Sequence, residues 1–330
     1  MSSNTQGSDH PVSQREKDSI NSQCFGDKIK GKKKKEVMRV MFQNIRGLGY
    51  TKKSLKSEAV KKTIVDNKVD VMLMTEINVN WERAGRRNSF QNIGRHWFKT
   101  CKPSCTFNHH QKIIDNKTKW QPGGHAIVSR DEISRRVHKY DHNNRQIGRW
   151  TSQLIKGKEN LNTRVVSVYV PRPSKDYTRQ RIFCQQQTAL LKLGVSGTVL
   201  TIFWSDFWAQ IDKWLEEGNS LIIGGDWNTD IRNKEFLKPF EERNLIPAVH
   251  SKHGYNLPAT HNAGSLPIDE IFLSSTIELK NSGYLEHSHS SGDHRPVWVD
   301  VTKTDHWRQI AANHNIPSKK VEVHRSKSSR

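Results

Sequence analysis

Eight short runs of Val, Ile, Leu and Met, each bounded by a turn former or a polar residue, limit what this chain can fold into. They are EVMRVMFQN from Glu36, VDVMLMTE from Val69, GGHAIVS from Gly123, RWTSQLI from Arg149, RVVSVYVP from Arg164, SLIIGGD from Ser220, IDEIFLS from Ile268 and RPVWVDV from Arg295. Runs of this length and composition predict β-strands. Apolar residues return every three or four positions over residues 54–67, 177–193 and 204–217, which predicts three helices between them. So many strands with so few helices favour two packed sheets flanked by helices over the strict alternation of a doubly wound fold.

At 330 residues with 33% hydrophobic composition, the chain can bury one large core. Its net charge of +21 is not confined to the ends. Residues 1–35 carry 8 Lys/Arg against 4 Asp/Glu and residues 303–330 carry 7 against 2, which leaves 39 against 27 in between. A basic surface attracts polyanions by Coulomb attraction and counterion release, and charge alone names no substrate. Residues 1–35 are polar, end in KIKGKKKK and are expected to be a disordered basic tail. Residues 303–330 are expected to be a second basic arm, or a linker to something larger, around a folded domain at 36–302. The lysine run from Lys28 reads equally as a nuclear import signal, an electrostatic clamp or a solvated tail. No stretch approaches the roughly 18 apolar residues of a membrane span, and the first residues lack a secretory apolar core. An intracellular, nuclear location without membrane attachment is expected. The four cysteines, at 24, 101, 105 and 184, are too few and too scattered for a disulfide framework.

Several runs end in residues that a core strand would not choose: Asn44 after VMRVMF, Glu76 after VMLMT and Asp226 after LIIGG, with Tyr169 inside VVSVYVP. Strand ends on one rim gather side chains into a cleft. Phosphodiester cleavage needs what such a cleft supplies: carboxylates for a hard cation, a group that activates water and donors for the phosphate's developing charge.

The motifs NIRGL, MTEIN, SVYVPRP, GGDWNTD, IDEIF and SGDHRPV follow one another in the order seen in the endonuclease/exonuclease/phosphatase superfamily, and the chain resembles that family over about residues 37–301. The resemblance implies a DNase I-like fold: an α/β four-layer sandwich of two mixed β-sheets flanked by helices. It implies Glu76 as principal ligand of Mg²⁺ or Mn²⁺, with Asn44 and Asp293 close by. Asp226 would activate the attacking water and Asn228 would align it or donate to the phosphate. His294 would bond the phosphate or shuttle a proton, with Asp269 behind it fixing its tautomer. Glu270, next to Asp269, is the competing candidate for that place. Tyr169 would place its hydroxyl at the phosphate, and Thr260 in PATHNAG sits where relatives have a similar donor. One departure is Arg46, which stands where apurinic-site repair enzymes of this family carry an acidic residue. NIRGL is instead similar to the endonuclease domains of non-LTR retrotransposons, which nick target DNA.

Other features are set aside. CKPSCTFNHH offers Cys101, Cys105, His109 and His110, but the spacing fits no common zinc finger. His287 and His289 read as loop histidines. Trp81, Trp97 and Trp298 read mostly as core, and Trp227 is the best placed of the four to stack a base. ERAGRR from Glu82 and NNRQIGR from Asn143 read either as phosphate grips or as solvated faces.

Three functions stand at this point. The first is a monomeric endonuclease on double-stranded DNA. The second is a phosphatase or phosphodiesterase of the same fold acting on RNA or phosphoinositides. The third is a catalytically dead nucleic-acid-binding protein.

Overall fold

The computed structural model describes residues 23–29, 32–49, 51, 53–85, 89–107, 120–142, 145, 147–157, 161–174 and 181–303. Among them, thirteen strands form two sheets. One runs β1 (Phe25–Gly26), β12 (Leu279–Tyr284), β13 (Val297–Thr302), β2 (Val37–Asn44), β3 (Val71–Thr75), β5 (His125–Arg130), β4 (Cys101–Thr106). The other runs β10 (Leu245–Pro247), β11 (Asp269–Ser274), β9 (Ser220–Asp226), β8 (Thr163–Tyr169), β7 (Trp150–Ile155), β6 (Val137–His142). The helices are α1 (Leu55–Asp66), α2 (Trp81–Ala84), α3 (Phe90–Trp97), α4 (Asp131–Arg136), α5 (Ile182–Lys192), α6 (Val199–Glu216), α7 (Lys234–Glu241) and α8 (Ala248–His253). The two mixed sheets flanked by helices are the expected sandwich.

Each sheet has a parallel pair at its centre, β2 beside β3 and β8 beside β9. Parallel neighbours need a crossover, and α1 supplies one while α5 and α6 supply the other. These central strands are covered on both faces, so their sequences are rich in apolar residues. The period of two divides the side chains between layers. Val40, Phe42, Val71 and Leu73 join the cluster that reaches across to Val166, Val168 and Ile222 of the second sheet. Met41, Met72 and Met74 join the opposite cluster with Val60 and Ile64 of α1 and Ile93 and Trp97 of α3.

In SLIIGGD, Gly224 sets how closely the sheets approach, and Gly225 makes room for side chains of its own sheet. A Cβ at Gly224 would lie 2.8 Å from Leu73 Cδ1 and from Phe42 Cβ, and one at Gly225 would lie 2.6 Å from Val168 Cγ1. Trp227, just past them, is fully buried and stacks edge-on against Phe240 at 5.0 Å and Phe272 at 5.2 Å. It is a core residue, and the base-stacking candidacy given to it by sequence does not stand.

Part of the positive charge is also interior. Arg39, Arg149, Arg164 and Arg295 rank among the largest fully buried side chains. Arg39 Nε and Nη2 each donate to Asp300 at 2.7 Å, and Nη1 donates to the Asn67 carbonyl.

The ordered fold begins earlier than the expected boundary at residue 36. Phe25 and Gly26 pair with Tyr284 and Gly283, because that aromatic ring covers the buried Tyr284 and completes the sheet edge. Residues 1–22 and 304–330 lie outside the described residues, as do His109, His110 and parts of both basic patches. The helix expected from 177 is observed from Ile182, and that expected from Trp204 starts earlier, at Val199, where Thr198 Oγ1 accepts from the Thr201 N–H. Among the described residues, no helix is long and apolar enough to cross a membrane.

Candidate functional site

The topology collects the polar strand ends. Parallel pairs present their C-terminal ends on one rim, so Asn44 closes β2, Glu76 follows β3, Tyr169 closes β8 and Asp226 closes β9. Antiparallel neighbours present their beginnings on the same rim: Asp269 opens β11 and pairs in register with Asp226, and Asp293 and His294 precede β13. A cavity of about 590 Å³ there is lined by Asn44, Glu76, Tyr169, Asp226, Asn228, Asp293 and His294. Of the eight predicted site residues, only Asp269 stays behind that surface, fully buried.

The loops that carry these groups are held in unusual conformations. Among the described residues, seven non-glycine residues have positive φ, and four of them, Arg46, Glu76, Asn78 and Asn228, flank this cleft. Left-handed backbone is uncommon outside glycine and is kept where surrounding structure enforces it. Backbone bonds from Gly47 to the Glu76 carbonyl and from Leu48 to the Ile77 carbonyl, at 2.6 and 2.9 Å, tie the NIRGL and MTEIN loops together. In SGDH the glycine is needed for contact: a Cβ on Gly292 would lie 2.5 Å from the Asn44 carbonyl oxygen.

Hydrogen bonds and one longer ionic contact link the residues of the site. His294 Nδ1 meets Asp269 Oδ2 at 2.8 Å, and its Nε2 lies 3.7 Å from Asp226 Oδ2. Asn44 Nδ2 donates to Asp226 Oδ2 at 3.0 Å, and the Asn228 backbone N–H donates to Asp226 Oδ1 at 3.1 Å. The Asn228 side chain is itself pinned by donating to the Val170 carbonyl at 2.8 Å. Burial raises the Asp226 carboxyl well above the usual carboxylate range; Asp269 and Glu76 add to this, while His294 and Asn44 oppose it. For His294, burial disfavours the charged ring, but Asp269 and Asp226 outweigh it and the imidazole pKa rises above its ordinary value. Burial, with Glu76 and Asp226 nearby, pushes the Tyr169 hydroxyl well up, so it stays protonated and able to donate.

Strand alternation separates the two neighbouring candidates. Asp269 faces His294, whereas Glu270 points to the opposite face and accepts the N–H groups of Val249 and His250 at 3.2 and 3.1 Å. Thr260 departs from expectation. It is fully buried and its Oγ1 accepts from the Ile268 and Asp269 N–H groups at 3.0 and 3.2 Å, so it shapes the entry to β11 and lines no part of the cavity.

The expected metal trio of Glu76, Asn44 and Asp293 shares the cavity, but Asp293 Oδ2 contacts Arg46 Nη1 at 3.0 Å and His261 Nε2 at 3.5 Å. Among the described residues, ligand atoms lie within 4.8 Å of one another in two groups, His261–Asp293–His294 and Asp226–Asp269–His294, and Glu76 belongs to neither. The donor set still suits a hard divalent cation. Three carboxylates and one amide oxygen share a polar cavity, and Asp226 is raised partly by Glu76 and Asp269, a crowding of negative charge that such a cation relieves. Cys101 and Cys105 lie on β4, and burial pushes the Cys105 thiol up to about 12, which leaves little thiolate for zinc.

Sequence reading missed two lining residues, His261 and Arg172. His261 bridges to His294 across the rim, its ring 4.8 Å from that of His294, and it sits inside PATHNAG beside the threonine that drew attention. Arg172 is in SVYVPRP, where the proline-flanked arginine was the available signal.

Comparison with known proteins agrees with the fold. No curated protein sequence matches the chain. Structures similar to it include the AP endonuclease of Leishmania major, at 12% identity and TM-score 0.58 over 81% of this chain and 88% of that one. A mannosyl-6-phosphatase of Bacteroides thetaiotaomicron matches at 13% identity and TM-score 0.50 over 80% and 99%. The endonuclease domain of the telomere-specific non-LTR retrotransposon TRAS1 matches at 14% identity over 81% and 98%, with a TM-score of 0.43 that carries no weight. At these identities the likeness speaks for the fold alone. The profile of the Endonuclease/Exonuclease/phosphatase family, a superfamily of hydrolases that includes nucleases and phosphatases, matches residues 41–306, and the chain belongs to that family.

Proposed function

We propose that this protein is a Mg²⁺- or Mn²⁺-dependent endonuclease that nicks double-stranded DNA, of the type found in non-LTR retrotransposons. The observation that carries the reading is the Asp269–His294–Asp226 relay at the strand ends, with Asn44 and Asn228 fixing both oxygens of Asp226. A dead site would have no reason to keep such a set buried and bonded. DNA is favoured over a single headgroup by the basic folded part and by Arg46 and Arg172, which line the cavity and are exposed.

In this reading Glu76, Asn44 and Asp293 would hold the cation, which would supply Lewis-acid polarisation of the phosphate and neutralisation of developing charge. Asp226, its basicity raised by burial, takes a proton from the attacking water, since a base works best with a pKa near the operating pH. His294, kept charged by Asp269, donates from Nε2 to a phosphate oxygen, and Tyr169 donates its hydroxyl to another. The working unit is a monomeric catalytic domain that takes in β1 from Phe25 and runs to about residue 302, flanked by basic segments. The lysine run from Lys28 supports a nuclear site of action.

The test is nicking of supercoiled plasmid in Mg²⁺ by wild type and by Asp226→Asn from parallel preparations. Open circles from the wild type alone, abolished by EDTA and restored by Mg²⁺, are expected. Intact plasmid with both proteins would refute the DNA reading and turn attention to RNA and then phosphoinositides.

A further inference from the structure

Beside the catalytic cavity lies a second one of about 500 Å³, and the two share Arg46, Glu76, Tyr169 and Arg172. It continues outward to Trp120 and Arg181. Its charged lining is therefore three guanidiniums against one carboxylate. Trp120 is the exposed tryptophan among those described, at 45% of its surface, whereas Trp97, Trp150, Trp214, Trp227 and Trp298 are all buried. A large apolar ring this exposed within an arginine-lined groove is a candidate contact for a ligand.

The groove is built onto the catalytic loop. Trp120 bridges to Val79, the Gln121 N–H donates to the Asn78 carbonyl at 3.3 Å, and Gly123 N donates to Asn78 Oδ1 at 2.7 Å. Asn78 and Glu76 both hold left-handed backbone in that loop, so Trp120 is fixed in place relative to the proposed metal ligand. The opposite wall is the first turn of α5, where Ile182 Cγ1 would lie 3.4 Å from a Cβ on Gly123.

We infer that this groove binds the DNA strand beside the scissile phosphate, with Trp120 stacking on a base that has left the duplex stack and Arg172 and Arg181 holding its flanking phosphates. The inference rests on the nuclease reading above and adds a substrate class: DNA with unpaired nucleotides next to the cut. A planar indole stacks on any base but needs an open face, which a fully paired duplex does not offer. Guanidiniums grip the backbone without reading sequence.

The experiment measures binding by fluorescence anisotropy, using Asp226→Asn protein in Mg²⁺ so that no substrate is consumed. The probes are a fluorescein-labelled duplex with a short unpaired bubble and the same duplex fully paired. The parent should bind the bubble more tightly. Adding Trp120→Ala should weaken bubble binding by about 5- to 150-fold, the range expected for one lost base–aromatic stack, and erase the preference. Trp120→Phe should keep most of it, and Arg181→Gln should lower the salt dependence of bubble binding by about 0.7 on the log–log slope. No preference in the parent, or Trp120→Ala binding both probes as the parent does, overturns the groove while leaving the nuclease reading intact if wild type nicks plasmid. If the parent binds neither probe and wild type nicks nothing, both readings fall together.

Discussion

Two of the regions in which this protein buries charge do so to opposite ends. Arg39 and Asp300 form a bidentate pair with a third guanidinium bond to the Asn67 carbonyl, under the face of Trp298 at 5.1 Å. Every strong donor there has a partner. At the strand-end rim, burial raises the Asp226 carboxyl and the neighbouring Asp269 and Glu76 carboxylates add to the rise, and among the described residues Asp269 Oδ1 is buried without a hydrogen-bond partner. A satisfied buried pair holds strands together, whereas crowded carboxylates are tolerated where they are used. Burial alone is therefore a poor guide to role.

That contrast can be broken from either side. Asp226→Asn should lower nicking by about 10²- to 10⁴-fold, the usual contribution of a general base. It should not lower stability. A carboxyl whose folded pKa lies above its unfolded one costs stability as pH climbs through that interval, so removing its charge gains most at neutral and alkaline pH and nothing in acid. Thermal melts of the two proteins across pH check the sign, and a large destabilisation at pH 8 would erase the distinction between the regions. Arg39→Met should do the reverse. It strands Asp300 in the interior at a cost of about 3–5 kcal/mol, read by urea denaturation, while nicking per folded molecule persists.

Smaller effects sharpen the comparison. Gly224→Ala inserts a methyl between the sheets against Leu73 and Phe42 and should cost about 1–3 kcal/mol by the same denaturation measurement. Asp269→Asn should move the alkaline limb of the activity–pH profile to lower pH. His294 owes its raised pKa first to the Asp269 carboxylate, and without it the ring loses its proton earlier as pH rises. A limb that stays in place would mean that His294 does not act as the charged donor.

Sheet edges divide what was legible from what was not. All eight strands read from apolar runs are present, because these strands are interior or nearly so and must be apolar. Besides the interior but largely polar β12 (LKNSGY), the four edge strands, β1, β4, β6 and β10, escaped notice. Their sequences FG, CKPSCT, VHKYDH and LIP are short, polar or carry proline, as an edge requires, and the same features remove the signal. Likewise α7 and α8 are short, and α7 carries a proline within it.

By itself the sequence pointed to two packed sheets, and its resemblance to the family nominated the candidate site residues from Asn44 to His294. Only the tertiary structure decided which of Asp269 and Glu270 faces His294. It also turned Thr260 inward to the backbone, placed Trp227 in the core, and brought His261, Arg172 and Trp120 to the cleft. The physical reason is the same in each case. Which groups meet depends on strand register and loop closure, and these are fixed by contacts between residues far apart in the chain.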